Sequence, residues 1–186
     1  MTVAQGSRRL DIVAVASDAR DLRWRKFVRA WAGEFLLARL DAAEDGVDDA
    51  QPLGFDTVGI SLESPPDPIA HDWMLYTLDC PDADPDVRPR LSVGRAPGCD
   101  LVMRFSFVSK MHAYIEPQVG GGAIVGDHRS VNGTWVDGEQ VGPGARIALP
   151  VGGRVRFGLL TLRLVDGKQL HEALNSDGFA AWKAQL

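Results

Sequence analysis

The sequence is poor in the residues that build disulfide frameworks and metal centres. Cys80 and Cys99 are its only cysteines, and neither stands in a Cys-x-x-Cys pair or beside a histidine pattern. The expectation is two reduced thiols in an intracellular protein, with no metal and no cofactor. Long apolar runs are missing as well. The run behind Asp11, IVAVA, is too short for the core of a signal peptide, and no run approaches membrane-spanning length. A soluble, cytoplasmic protein without a membrane partner is expected. Internal repeats are absent, and so is the glycine-flanked serine of a nucleophile elbow.

What is present is apolar residues at 45%, enough for a packed core. The length of 186 residues suits one domain, or one domain with a substantial extension. Charge is unevenly spread within the net −5. Residues 1–89 hold 9 Lys/Arg against 17 Asp/Glu, whereas residues 90–165 hold 9 against 5. A basic module on an acidic protein favours an anionic peptide as partner over nucleic acid, which usually meets a larger basic surface.

Residues 1–9 read as a frayed tail. Leu10 to Ala16 fits a strand or the lead-in to a helix, and periodicity does not decide between them. Ser17 or Asp18 offers an N-cap. Trp24, Phe27, Val28, Trp31 and Phe35 then follow at i, i+3, i+4, i+7 and i+11, one apolar helical face with Arg23, Arg25, Lys26 and Arg29 outside it. This predicts a helix from Asp18 to Ala32, ended or bent at Gly33. Its aromatic face suits packing on the molecule's own core about three times as readily as binding a partner. Glu34 to Leu40 fits a strand or a continued helix. Ala42 to Ala50 is acidic and loop-like, and the proline-rich stretch 52–70 is extended with one candidate strand, Thr57 to Leu62.

Trp73 to Leu78 alternates as a strand. From Leu91 onward short strand-like runs recur between turn residues: LSV, DLVM, HAYIEP, GAIVGD, TWV, EQ, ARIAL, RVRFG and LTLRLV. Many short strands at such spacing predict a β-sandwich or barrel. Asp166 to Leu186 reads as a C-terminal helix with Leu170, Leu174, Phe179 and Trp182 as its apolar residues.

Three polar clusters interrupt these strands: Gly94-Arg95, then Ser109-Lys110-Met111-His112, then Asp127 to Thr134 (DHRSVNGT). Loops on a rigid sheet are where binding residues collect. A guanidinium, a hydroxyl, an ammonium and a side-chain amide together suit a phosphate ester on a peptide. Gly-Arg, Ser-x-x-His and Ser-x-Asn-Gly-Thr in that order closely resemble the pattern of the forkhead-associated (FHA) domain, a phosphothreonine-peptide binding module. The resemblance runs from near Trp73 to near Val165.

It implies a mainly β fold, a two-sheet sandwich over residues 71–165. An N-terminal helical and irregular lobe, residues 1–70, is expected to dock on it, and a short helix, residues 166–186, to follow. It further implies that Arg95, Ser109 and Lys110 meet the phosphate and that Asn132 grips the ligand backbone. Gly94, His112, Ser130, Gly133 and Thr134 then support the pocket. Arg104, Phe107 and Arg129 are candidates for reading the residues beyond the phosphothreonine. The partner implied is a phosphothreonine-containing protein, a Ser/Thr kinase or its substrate, in a bacterial-type pathway.

Ser109 and His112 also raise an enzymatic alternative, set aside because no orienting acid accompanies them. Two departures from the pattern stand out. Val131 replaces a hydroxyl residue, removing a hydrogen bond worth about 1.5–3 kcal/mol to a charged group. Arg129 replaces a glycine, which either costs a turn conformation or returns charge to the pocket. The two favour a second alternative, a degenerate module assembling without phosphate.

Overall fold

The structure is a computed structural model, and it describes residues 8–39, 73–80 and 89–174. The candidate strand at 57–62, the acidic loop at 42–50 and the helix beyond Leu174 lie outside these residues. In chain order the elements are β1 (Arg9–Leu10), α1 (Ile12–Asp21), α2 (Trp24–Ala30), β2 (Glu34–Arg39), β3 (Trp73–Thr77) and β4 (Leu91–Gly94). There follow β5 (Leu101–Val102), β6 (Ala113–Pro117), β7 (Ala123–Asp127), β8 (Thr134–Val136) and β9 (Glu139–Gln140). The last are β10 (Ile147–Leu149), β11 (Arg154–Phe157), β12 (Leu160–Asp166) and α3 (Gly167–Leu174). Each strand-like run read from Trp73 onward is a strand here, and the fold is mainly β.

Two sheets form the sandwich. One has seven strands in the order β1-β3-β2-β12-β11-β8-β9, the other five in the order β10-β7-β6-β4-β5. β2 lies between β3 and β12, with Leu36 opposite Tyr76 and Leu164. The early chain therefore supplies an interior strand of the larger sheet.

Alternation sorts the side chains of these strands into two cores. Leu36, Ala38, Met74, Tyr76, Leu160, Leu162 and Leu164 enter the core between the sheets. Phe35, Leu37, Trp73, Leu75 and Val165 face outward, where Ile12, Val15, Phe27 and Leu170 of the helices cover them. This explains why all five residues of β3 are buried. β11 and β8 lack that helical cover. Their outward residues are Arg154, Arg156 and Trp135, with the Arg156 guanidinium 3.5 Å from the Trp135 ring centroid.

The single helix expected over 18–32 is two. Asp11 precedes the first helical residue, its carbonyl accepting the Val15 amide, while Asp18 accepts the Trp31 indole N–H at 3.0 Å. The break has a steric and electrostatic reason. α1 buries Ile12, Val15, Ala16 and Ala19, and continuing that spacing would turn Arg23 and Lys26 toward the core. Arg23 instead takes an extended ψ of 141°, which resets the axis so that Phe27 enters the core and both cations remain in water.

Candidate functional site

The three polar clusters meet at one end of the sandwich, past the ends of β4, β7 and β11 and the starts of β6 and β8. The first joint is Gly94. Its carbonyl accepts the Met103 amide, and the next two amides, of Arg95 and Ala96, donate to the carbonyls of Ser109 and Lys110. A β-carbon on Gly94 would overlap the Lys110 carbonyl and touch the Cys99 sulfur at 3.0 Å. Glycine is required here because two backbones approach each other.

His112 makes the second joint and is fully buried. Its Nδ1 accepts the Ser109 amide at 3.0 Å, so Nε2 carries the proton and donates to the Gly133 carbonyl at 2.9 Å. One neutral imidazole thus ties the second cluster to the third. Burial holds its pKa below the ordinary histidine value, against the opposing pull of the Gly133 carbonyl and Asp127. The same contacts determine what the Ser109–His112 pair can do. The ring engages the serine's backbone, not its hydroxyl, and the Ser109 Oγ accepts the Val131 amide at 3.1 Å. No nucleophile–base contact joins them.

Asp127 makes the third joint, a role not among those expected from the sequence. Its carboxylate accepts the Ser130 amide at 2.9 Å, the Ser130 hydroxyl at 2.6 Å and the Thr134 hydroxyl at 2.7 Å. Burial raises its pKa, but these hydrogen bonds outweigh burial and leave it below the usual carboxylate value. The signal lies in Asp127-x-x-Ser130, a spacing at which a carboxylate satisfies the amide and hydroxyl three residues on. Ser130 and Thr134 therefore use their hydroxyls within the loop.

Above these joints lie the exposed groups. Arg95, Arg104, Lys110, Arg129 and Asn132 are all exposed. The Asn132 side-chain amide donates one hydrogen to the Phe107 carbonyl at 2.8 Å, leaving its second hydrogen and its Oδ1 without a partner among the described residues. Ser109 keeps its own hydroxyl proton available. Phe107 is half-buried and stacks on Phe105, centroids 5.2 Å apart; its carbonyl holds Asn132. Gly133 has φ +77°, and a β-carbon there would lie 2.5 Å from the Trp135 ring.

Val131 is exposed and offers the loop only its amide, already given to Ser109. Arg129 sits at φ +55°, a left-handed conformation that costs a side-chain-bearing residue about 1–2 kcal/mol. Of the two alternatives for this position, the turn cost is real. The loops contain two carboxylates, Asp100 and Asp127. Asp100 is occupied by the Ser92 amide and hydroxyl at 2.8 and 2.7 Å. The free charge at this end is positive.

Among the described residues no group of three or more His, Cys, Asp or Glu is arranged to hold a metal ion, and no helix is long and apolar enough to cross a membrane. Burial pushes both thiols above the ordinary cysteine pKa.

Residues 91–158 match the family model of the FHA domain. No curated protein matches the chain. Among solved structures, the FHA domain of the CT664 protein from Chlamydia trachomatis is 21% identical, covering 72% of this chain and 98% of that one, with a TM-score of 0.46. The N-terminal FHA domain of S. cerevisiae Rad53p, in complex with a phosphothreonine peptide, is 22% identical over 53% of this chain and 89% of that one, TM-score 0.43. Mycobacterium tuberculosis EmbR, in complex with a low affinity phosphopeptide, is 26% identical; the match covers 41% of this chain and 20% of EmbR, TM-score 0.37. All three braced clusters fall inside the matched span, and the chain carries an FHA domain.

Proposed function

We propose that this chain is a non-catalytic adaptor that docks onto a phosphothreonine-containing protein in Ser/Thr-kinase signalling. The observation that carries the proposal is the His112 bridge between the Ser109 amide and the Gly133 carbonyl. It fixes the loop with Ser109 and Lys110 against the loop with Asn132, while Gly94 brings Arg95 onto the same backbone. A rigid cluster of donors with positive charge complements a phosphoryl group, which brings about −1.5 to −2 charges and three acceptor oxygens. In this reading Arg95 supplies a fork of donors, Lys110 a point charge and Ser109 its hydroxyl proton. Asn132 gives its remaining N–H and its Oδ1 to the ligand backbone. Gly94, His112, Ser130, Gly133 and Thr134 support the pocket, and Arg104 and Arg129 reach residues beyond the phosphothreonine.

Val131 and the strained Arg129 favour a second reading, a module that assembles without phosphate. Fluorescence-anisotropy titration separates the two, using phosphothreonine, phosphoserine and unphosphorylated peptide libraries against wild type and Arg95→Ala. The adaptor reading expects phosphothreonine-selective binding that Arg95→Ala removes. Binding indifferent to phosphate and to Arg95 would establish the second reading.

A further inference from the structure

A different surface carries a second set of unpaired cations. α2 buries Phe27 and turns Arg25, Lys26 and Arg29 to the opposite side, all three within an arc of about 100° at 100° per residue. Arg23, just before the helix, is exposed too. Among the described residues none of these four enters an ion pair or hydrogen bond through its side chain. Trp24, beside them, is 49% exposed, although tryptophan is one of the costliest side chains to leave in water. It forms one wall of a concavity of about 270 Å³, lined among the described residues also by Lys168, His171 and Glu172 of α3. The nearby carboxylates are engaged: Glu172 lies 3.9 Å from Lys168, and Asp21 accepts the Ser17 hydroxyl at 3.3 Å.

We infer that the α2–α3 surface docks a short acidic peptide, which places an apolar side chain in the concavity against Trp24 and its carboxylates beside Arg23, Arg25, Lys26 and Arg29. Charge complementarity sets the sign of the partner, and an aromatic wall ringed by arginines is the composition of an interface hot spot. A lipid surface fits less well. Trp24 is the one large apolar side chain exposed on α2, and Phe27 is committed to the core, so no apolar face is left to insert. Nucleic acid fits less well because Trp24 provides a single stacking surface on a chain of net charge −5. The surface lies beyond the Glu34–Asp166 end of the large sheet, where Gly167 opens α3 against the Trp31 carbonyl, away from the phosphate-type loops. Both surfaces can be occupied together, and this inference does not depend on the adaptor reading.

The test titrates the full chain into a fluorescein-labelled acidic peptide with a central Leu-Phe pair. Comparison arms carry Lys for the acids, Ala-Ala for Leu-Phe, or vesicles of phosphatidylserine and phosphatidylcholine. Saturable binding is expected, weakened about tenfold or more by Trp24→Ala, abolished by Arg25→Glu with Lys26→Glu, and unchanged by Arg95→Ala. All of these positions are exposed, and circular dichroism checks that each variant folds. The inference is overturned by no binding to wild type, by binding that Trp24→Ala leaves intact, by binding lost in Arg95→Ala, or by capture on vesicles without peptide binding.

Discussion

The loop end of the sandwich has two layers, and they are built by opposite rules. The lower layer is polar and paired: His112 and Thr134 are buried and Asp127 half-buried, and their bonds to the Ser109 amide, the Gly133 carbonyl, the Ser130 hydroxyl and one another span 2.6–3.0 Å above the close backbone approach at Gly94. The upper layer, Arg95, Lys110, Asn132 and Arg129, is exposed, and apart from the one Asn132 hydrogen given to the Phe107 carbonyl its side-chain donors have no partner among the described residues. The difference teaches where each energy sits. A buried group that loses its partner costs the fold, because no water replaces the lost bond. An exposed cation costs the fold nothing and is available to a ligand. Substitutions in the two layers should separate stability from binding.

The largest effect is expected below. Gly94→Ala drives a methyl group into a backbone carbonyl that cannot rotate away, and overpacking of this kind costs about 1–3 kcal/mol or more. Differential scanning calorimetry should record the loss, and anisotropy should record lost binding. His112→Ala strands the Ser109 amide and the Gly133 carbonyl at about 1–3 kcal/mol each, again lowering both. If either variant keeps full stability and loses only binding, the division into layers is wrong.

Arg95→Ala is the opposite case. Its melting temperature should match wild type, since surface changes away from packed features stay within about 0.5 kcal/mol. Phosphopeptide affinity should fall about ten- to hundredfold, the equivalent of about 1.5–3 kcal/mol for hydrogen bonds to a charged group.

Acid sharpens the comparison further. His112 has a folded pKa below its unfolded one, so the unfolded chain binds the proton first and stability should begin to fall as pH drops below about 6.5. Asp127 is also depressed, and its contribution, present above the unfolded carboxylate pKa of about 3.9, is lost as pH falls through its folded value. Urea midpoints from pH 8 to 5 should decline in wild type and flatten in His112→Gln. An equal slope in both would remove His112 as the cause.

Much of this end is legible in the amino-acid sequence alone. Gly94, Ser109, His112, Asn132 and Gly133 stand in the pattern that resembles the FHA domain, and that resemblance implies which loops meet, while the short strands from Trp73 onward are marked by apolar runs between turn residues. What the sequence hides is non-local. β2 can be read as strand or helix because Phe35 and Leu37 serve one core while Leu36 and Ala38 serve another, so its apolar residues are continuous and carry no period. The break at Arg23 is hidden for a related reason: apolar spacing from Trp24 to Phe35 matches one helix, and only the burial of Ile12, Val15 and Ala19 on the sheet shows that one axis cannot serve both segments. Asp127 is easily overlooked because its work is bracing rather than contact, although its distance from Ser130 announces it.

Arg129 belongs to both layers, and it yields the smallest effect and the finest test. Its backbone holds a left-handed φ of +55° while its exposed side chain adds a cation to the loop that carries Asn132. Arg129→Gly removes the strain, worth about 1–2 kcal/mol, and loses about 0.5–1 kcal/mol of that through the freer unfolded chain. The net expectation is a stabilisation of up to about 1.5 kcal/mol in urea unfolding. Arg129→Ala keeps the strain and loses the charge, so it should leave stability unchanged. If the guanidinium offsets the hydroxyl missing at Val131, both variants should weaken phosphopeptide binding by the same factor despite their different stabilities. If glycine binds as well as arginine, the strained residue is tolerated, not used, and the pocket works with Arg95, Ser109, Lys110 and Asn132 alone.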